Sequence, residues 1–122
     1  MINHSDKVGV FMIQIFNSLY NFRPIARLDE NKILHNHIHH NSPVGIIDDD
    51  NIIHNNPYEY SPIGHVDDNK VVHNHPYNNA PVGHIDDQGI IHNHPSDYSP
   101  IGRVEGCNSH LAGSAYLLLL YK

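Results

Sequence analysis

The chain has 122 residues, enough for one domain with a modest core. Seven Lys and Arg against thirteen Asp and Glu give a formal charge of −6, which argues against a nucleic-acid partner because phosphate binding needs clustered basic side chains. The single cysteine, Cys107, allows no intrachain disulfide and no zinc-finger spacing. Thirteen histidines carry the formal charge from −6 to +7 when all are protonated, so its sign turns over where unperturbed imidazole titrates.

In chain order, the first apolar stretch is Val8–Phe16. It is short, contains Gln14, lacks a basic leader and has no small-residue cleavage site after it. It reads as a strand and not as a signal peptide, which makes the cytoplasm the default expectation for localisation. Residues 1–13 form an N-terminal segment, and Val8–Ile13 is expected to help close or cover the core.

A 19-residue repeat then dominates the chain. Its mark is a proline followed by a small apolar pair: Pro24-Ile25-Ala26, Pro43-Val44-Gly45, Pro62-Ile63-Gly64, Pro81-Val82-Gly83 and Pro100-Ile101-Gly102. A short fixed period means one supersecondary unit copied and packed against its neighbours. Five copies occupy 14–30, 33–49, 52–68, 71–87 and 90–106, and the first is degenerate, with no histidine. Each copy holds a strand typified by Ile90-Ile91-His92-Asn93-His94 and a strand typified by Pro81-Val82-Gly83-His84-Ile85. Polar turns such as Asp67-Asp68-Asn69-Lys70 join the second kind to the next copy of the first. Pro57, Pro76 and Pro95 end the histidine strand, because proline cannot donate to a ladder. The Asn17, Asn36, Asn55, Asn74 and Asn93 column implies a recurring side-chain hydrogen bond to a turn. The Gly45, Gly64, Gly83 and Gly102 column, with Ala26, implies close backbone approach near a shared axis.

Residues 107–122 form a loop and an apolar run, Ala115–Tyr121, which is far shorter than the ~20 residues of a membrane helix. It reads as a C-terminal strand. Four leucines flanked by tyrosines suit burial on both faces, by a central strand or a subunit interface, and make a homo-oligomer the expected state.

The units Tyr60-Ser61-Pro62-Ile63-Gly64-His65-Val66 and Tyr98-Ser99-Pro100-Ile101-Gly102-Arg103-Val104, with the apolar terminal run, resemble the five-fold beta-flower proteins over roughly residues 14–122. The resemblance implies fold alone, since that family lends no activity. It differs in its His-Asn-His-Pro strings and in the missing signal peptide. The expected fold is all-β: five short hairpin-like repeats around a pseudo-five-fold axis, with a β-solenoid as the alternative that periodicity equally permits.

The histidines form two columns: His35, His54, His73 and His92, then His37, His75 and His94, interrupted by Asn56. Residues i and i+2 of a strand share a face, so His73 with His75, or His92 with His94, could chelate one ion, with Zn, Ni or Cu suited to imidazole. His65 and His84 lie on the glycine strand. A repeat multiplies whatever its ancestor carried, so aligned histidines also read as packing residues. The Asp pairs read as turn formers. No HExxH or Gly-x-Ser-x-Gly occurs, and adjacent His-Asn-His is not the nuclease motif, whose residues are dispersed. The expected function is a non-enzymatic structural, assembly or interaction protein, with a His-rich metal-binding or pH-responsive module as the alternative.

Overall fold

The computed structural model describes residues 13–121. Ten strands follow in sequence: β1 (Ile13–Phe16), β2 (Ala26–Leu28), β3 (Ile33–His35), β4 (Pro43–Ile47), β5 (Ile52–His54), β6 (Pro62–Val66), β7 (Val71–His73), β8 (Pro81–Ile85), β9 (Ile90–His92) and β10 (Pro100–Glu105). One helix, α1 (Ser109–Leu119), comes last. Each strand pairs antiparallel with its sequence neighbours, and β1 pairs with β10, so the sheet closes into a barrel. Closure decides between the two architectures the period allows: a solenoid stacks its copies in a line, whereas here the five copies return on themselves.

Antiparallel neighbours alternate their connections between the two ends of a barrel. The tight turns at 29–32, 48–51, 67–70 and 86–89 therefore share one end, and the longer connections at 17–25, 36–42, 55–61, 74–80 and 93–99 leave from the other. The ladder shifts register beside Pro43, Pro62, Pro81 and Pro100, where the missing N–H interrupts pairing.

Two apolar residues per copy fill the lumen. Ile15, Leu34, Ile53, Val72 and Ile91 form one buried column, and Leu28, Ile47, Val66, Ile85 and Val104 the other. Strand alternation places the next residue along on the outer wall. The lumen of ten strands is wider than side chains alone fill, and α1 occupies it, with every residue from Leu111 to Leu117 buried.

The helix corrects the expected C-terminal strand over Ala115–Tyr121. A closed sheet offers no free edge, so an eleventh strand in the lumen would leave its amides and carbonyls unpaired, whereas a helix pairs them internally. Ala112-Gly113-Ser114-Ala115 narrows the helix where it passes Ile85 and Ile91; a Cβ on Gly113 would lie 2.7 Å from Ile85 Cγ1. Leu117 is buried here, and Leu118, Leu119 and Leu120 pack half-buried against the barrel core. Val8–Met12 lies outside the described residues, and Ile13 opens β1.

The glycine column does what its spacing implies. A Cβ on Gly45, Gly64 or Gly83 would overlap the carbonyl of His54, His73 or His92 and the side chain of Leu119, Leu118 or Leu117 respectively. The first copy closes the ring. Its β1 supplies the strand that β10 needs, and the bond pattern of the other copies carries across the seam: Arg103 donates to Ser18 O, as Arg27, one copy on, donates to His37 O.

Candidate functional site

Each turn begins with an aspartate whose Oδ1 accepts from the amides two and four residues on, as Asp67 does from Asn69 and Val71. The bond holds the carboxylate along the outer wall, where its Oδ2 meets the histidine six residues later. The result is four equivalent pairs: His35 Nε2 to Asp29 (2.7 Å), His54 to Asp48 (2.8 Å), His73 to Asp67 (2.9 Å) and His92 to Asp86 (2.9 Å). These histidines point outward from their strands yet are buried, His73 to 3% exposure. In the first copy Phe16 takes the histidine's place, and the Arg103 guanidinium lies over its ring, 3.9 Å from the centroid.

Burial pushes the carboxyls of Asp48, Asp67 and Asp86 up. The bonds from their histidines and from two amides each, with the histidine charge, outweigh it and hold all three below the usual aspartate value.

The residue after each glycine of the column, or after Ala26, lies across the ladder from the buried histidine or, at the seam, from Phe16. At β6–β7 and β8–β9 it is itself histidine, and the rings stack: His65 on His73 at 4.3 Å between centroids, His84 on His92 at 4.4 Å. At the other pairings it is Arg27, Ile46 or Arg103. Arg27, His65, His84 and Arg103 all bond to a carbonyl of the neighbouring long connection, pinning that connection to the outer wall.

The copies differ at the remaining imidazole nitrogen. The amides of Ser42 and Ala80 donate to Nδ1 of His35 and His73, fixing both as Nε2–H tautomers that donate to their aspartates. In the Tyr-Ser-Pro connections the serine has a left-handed backbone, Ser61 at φ 55° and Ser99 at φ 54°. There His92 Nδ1 faces the carbonyl of Tyr98, and His54 Nδ1 is buried without a partner.

Of the seven histidines marked as ligands in the sequence, His35, His54, His73 and His92 are the four buried ones just described. His37, His75 and His94 are not on strands, which end at His35, His73 and His92, so the two-residue alternation does not extend to them. Instead His37 Nδ1 accepts from the His39 and His40 amides, and His75 Nδ1 from Tyr77 and Asn78. Among the described residues, the metal-ligating groups that do fall together are Asp48–His54–Glu59 and His84–His92–Asp97. His84, Asp97 and the aspartate partners were not among the marked ligands. A regular Asp-to-His spacing of six in every histidine-bearing copy was the available signal. The asparagine column also works differently from expectation: in four copies its main-chain N–H bonds the carbonyl that closes the long connection, as Asn74 does to Ala80.

The long connections carry the exposed aromatics. Tyr20, Phe22, Tyr58, Tyr60, Tyr77 and Tyr98 are 68–89% exposed. No described helix is long and apolar enough to cross a membrane. Comparison with protein-family models, curated proteins and solved structures finds no match for this chain.

Proposed function

We propose that this protein is a non-enzymatic assembly module, a rigid barrel that presents aromatic connections to a protein surface, with a second copy of itself as the first occupant. The observation that carries the reading is the placement, among the described residues, of the six exposed large aromatics other than Tyr121 on connections leaving one end of the barrel. Tyrosine offers large contact area with little rotamer entropy to lose, and soluble surfaces seldom gather it without a partner. Bonds from Arg27, His65, His84 and Arg103 pin four of the five connections, so binding them would cost little ordering.

The Asp–His pairs support a structural role. They resemble two-thirds of a hydrolytic triad, but in two copies the nitrogen a nucleophile would need already accepts a main-chain amide. The exposed Cys107 has no ring contact or hydrogen bond with them. The five hairpins closed around one axial element also agree with a beta-flower arrangement, which we retain as part of this proposal.

Sedimentation velocity over roughly a hundredfold range of concentration tests the reading. A discrete oligomer that dissociates in the variant carrying Tyr58→Ser, Tyr60→Ser, Tyr77→Ser and Tyr98→Ser supports it. A monomer at every concentration removes self-assembly as the function.

A further inference from the structure

We propose that the stacked histidine pair on β8 and β9 is a transition-metal site built from His84, His92 and Asp97, with Zn²⁺ as the ion that best fits the donor set. A ring nitrogen of each histidine and a carboxylate oxygen of Asp97 lie within 4.8 Å of one another. Two imidazoles and a carboxylate, with water completing a tetrahedron, are a common zinc donor set.

The hydrogen bonding around the rings gives an independent reason. His84 Nδ1 faces His94 O at 3.0 Å and its Nε2 faces Asp97 Oδ1 at 2.7 Å. His92 Nδ1 faces Tyr98 O at 3.1 Å and its Nε2 faces Asp86 Oδ2 at 2.9 Å. All four ring nitrogens therefore look at oxygen acceptors. An imidazole satisfies two acceptors only by carrying two protons, as a cation. Two such cations stacked 4.4 Å apart repel each other. One dication held between them supplies the missing positive charge once, and each ring keeps a single N–H. For His84 that N–H already points at a backbone carbonyl, the outer contact that orients metal-bound histidine. Asp97, 83% exposed at its side chain, leaves the site open to solvent for ion entry and a water ligand.

The other copies show that the set is not a by-product of the repeat. The positions of His84, His92 and Asp97 hold Ile46, His54 and Glu59 around β4 and β5, and His65, His73 and Asn78 around β6 and β7. The copy around β2 and β3 offers Arg27, His35 and His40, and the seam offers Arg103, Phe16 and Asn21. Of these five equivalent places, only the one around β8 and β9 combines two imidazoles with a carboxylate. The neighbouring copies also supply replacements that the same backbone already accepts.

The test is a zinc titration of the full chain near neutral pH, in competition with a chromophoric chelator. It compares wild type with His84→Ile, Asp97→Asn, and a triple variant His37→Gln/His39→Gln/His40→Gln that removes the exposed histidine cluster. The proposal expects one tight site per chain, kept in the triple variant and weakened at least about tenfold to a hundredfold by either single change. Asp97→Asn alters an exposed side chain, so its result stands even if His84→Ile were to unfold. Loss of the tight site in the triple variant alone, equal affinity in wild type and Asp97→Asn, or no stoichiometric binding overturns it. None of these outcomes depends on the oligomeric state.

Discussion

The Asp–His pair is the residue-scale device of this fold. One aspartate oxygen fixes the turn while the other holds the histidine, so a single carboxylate ties hairpin geometry to the packing of the outer wall. A carboxyl whose value is lower in the folded than in the unfolded chain stabilises the fold above the unfolded value, near 3.9, and this stability is withdrawn as pH falls through the folded value. For Asp48, Asp67 and Asp86 the direction is downward, so this contribution is complete above about pH 5 and is lost on the acid side of 4. Asp67→Asn should lower stability at pH 6 by about 1–3 kcal/mol and flatten the acid loss. Urea denaturation at pH 6 and pH 3 measures both; an unchanged acid slope in the variant would show that the pair does not carry it.

At the scale of elements, the helix and the glycine column are one feature. The glycines let α1 lie against the wall, with Leu117, Leu118 and Leu119 each taking the space a different glycine leaves. Gly64→Ala places a methyl against both the His73 carbonyl and Leu118, and the backbone carbonyl cannot rotate away. The expected cost is about 1–3 kcal/mol, as for other overpacked interiors. Denaturant midpoints with an unchanged slope would measure it. A neutral result would mean that the helix slides to make room, and the lumen would then be looser than its packing indicates.

For the whole molecule, closure between β1 and β10 makes five weak hairpins one structure. Short two-stranded units are marginal alone, and a ring removes the free edges they would expose. The seam is held by Arg103, which stacks on Phe16 and donates to the carbonyls of Ser18 and Asn21. Arg103→Ala removes all three contacts and should cost roughly 2–4 kcal/mol. Unfolding should remain a single transition, because no hairpin has its own core. Two separate transitions would show that the ring opens at the seam before it melts.

Several things were legible in the sequence. The 19-residue period gave the five hairpins, because apolar alternation, a polar turn and a proline recur at fixed offsets. The glycine column announced close approach, because few other needs repeat glycine at one position. The fate of Ala115–Tyr121 was not legible, since a short apolar run suits strand and helix alike; the absence of a free edge in the closed lumen made it a helix. Nor did spacing show that His75 and His94 leave the strand, because strand ends depend on where the neighbouring proline shifts the ladder. The grouping of His84 and His92 with Asp97 joins two paired strands and a connection folded over them. One-dimensional order by itself determined the unit and its repetition; only the tertiary structure decided closure, the axial helix and which side chains meet, because these depend on pairing between residues distant along the chain.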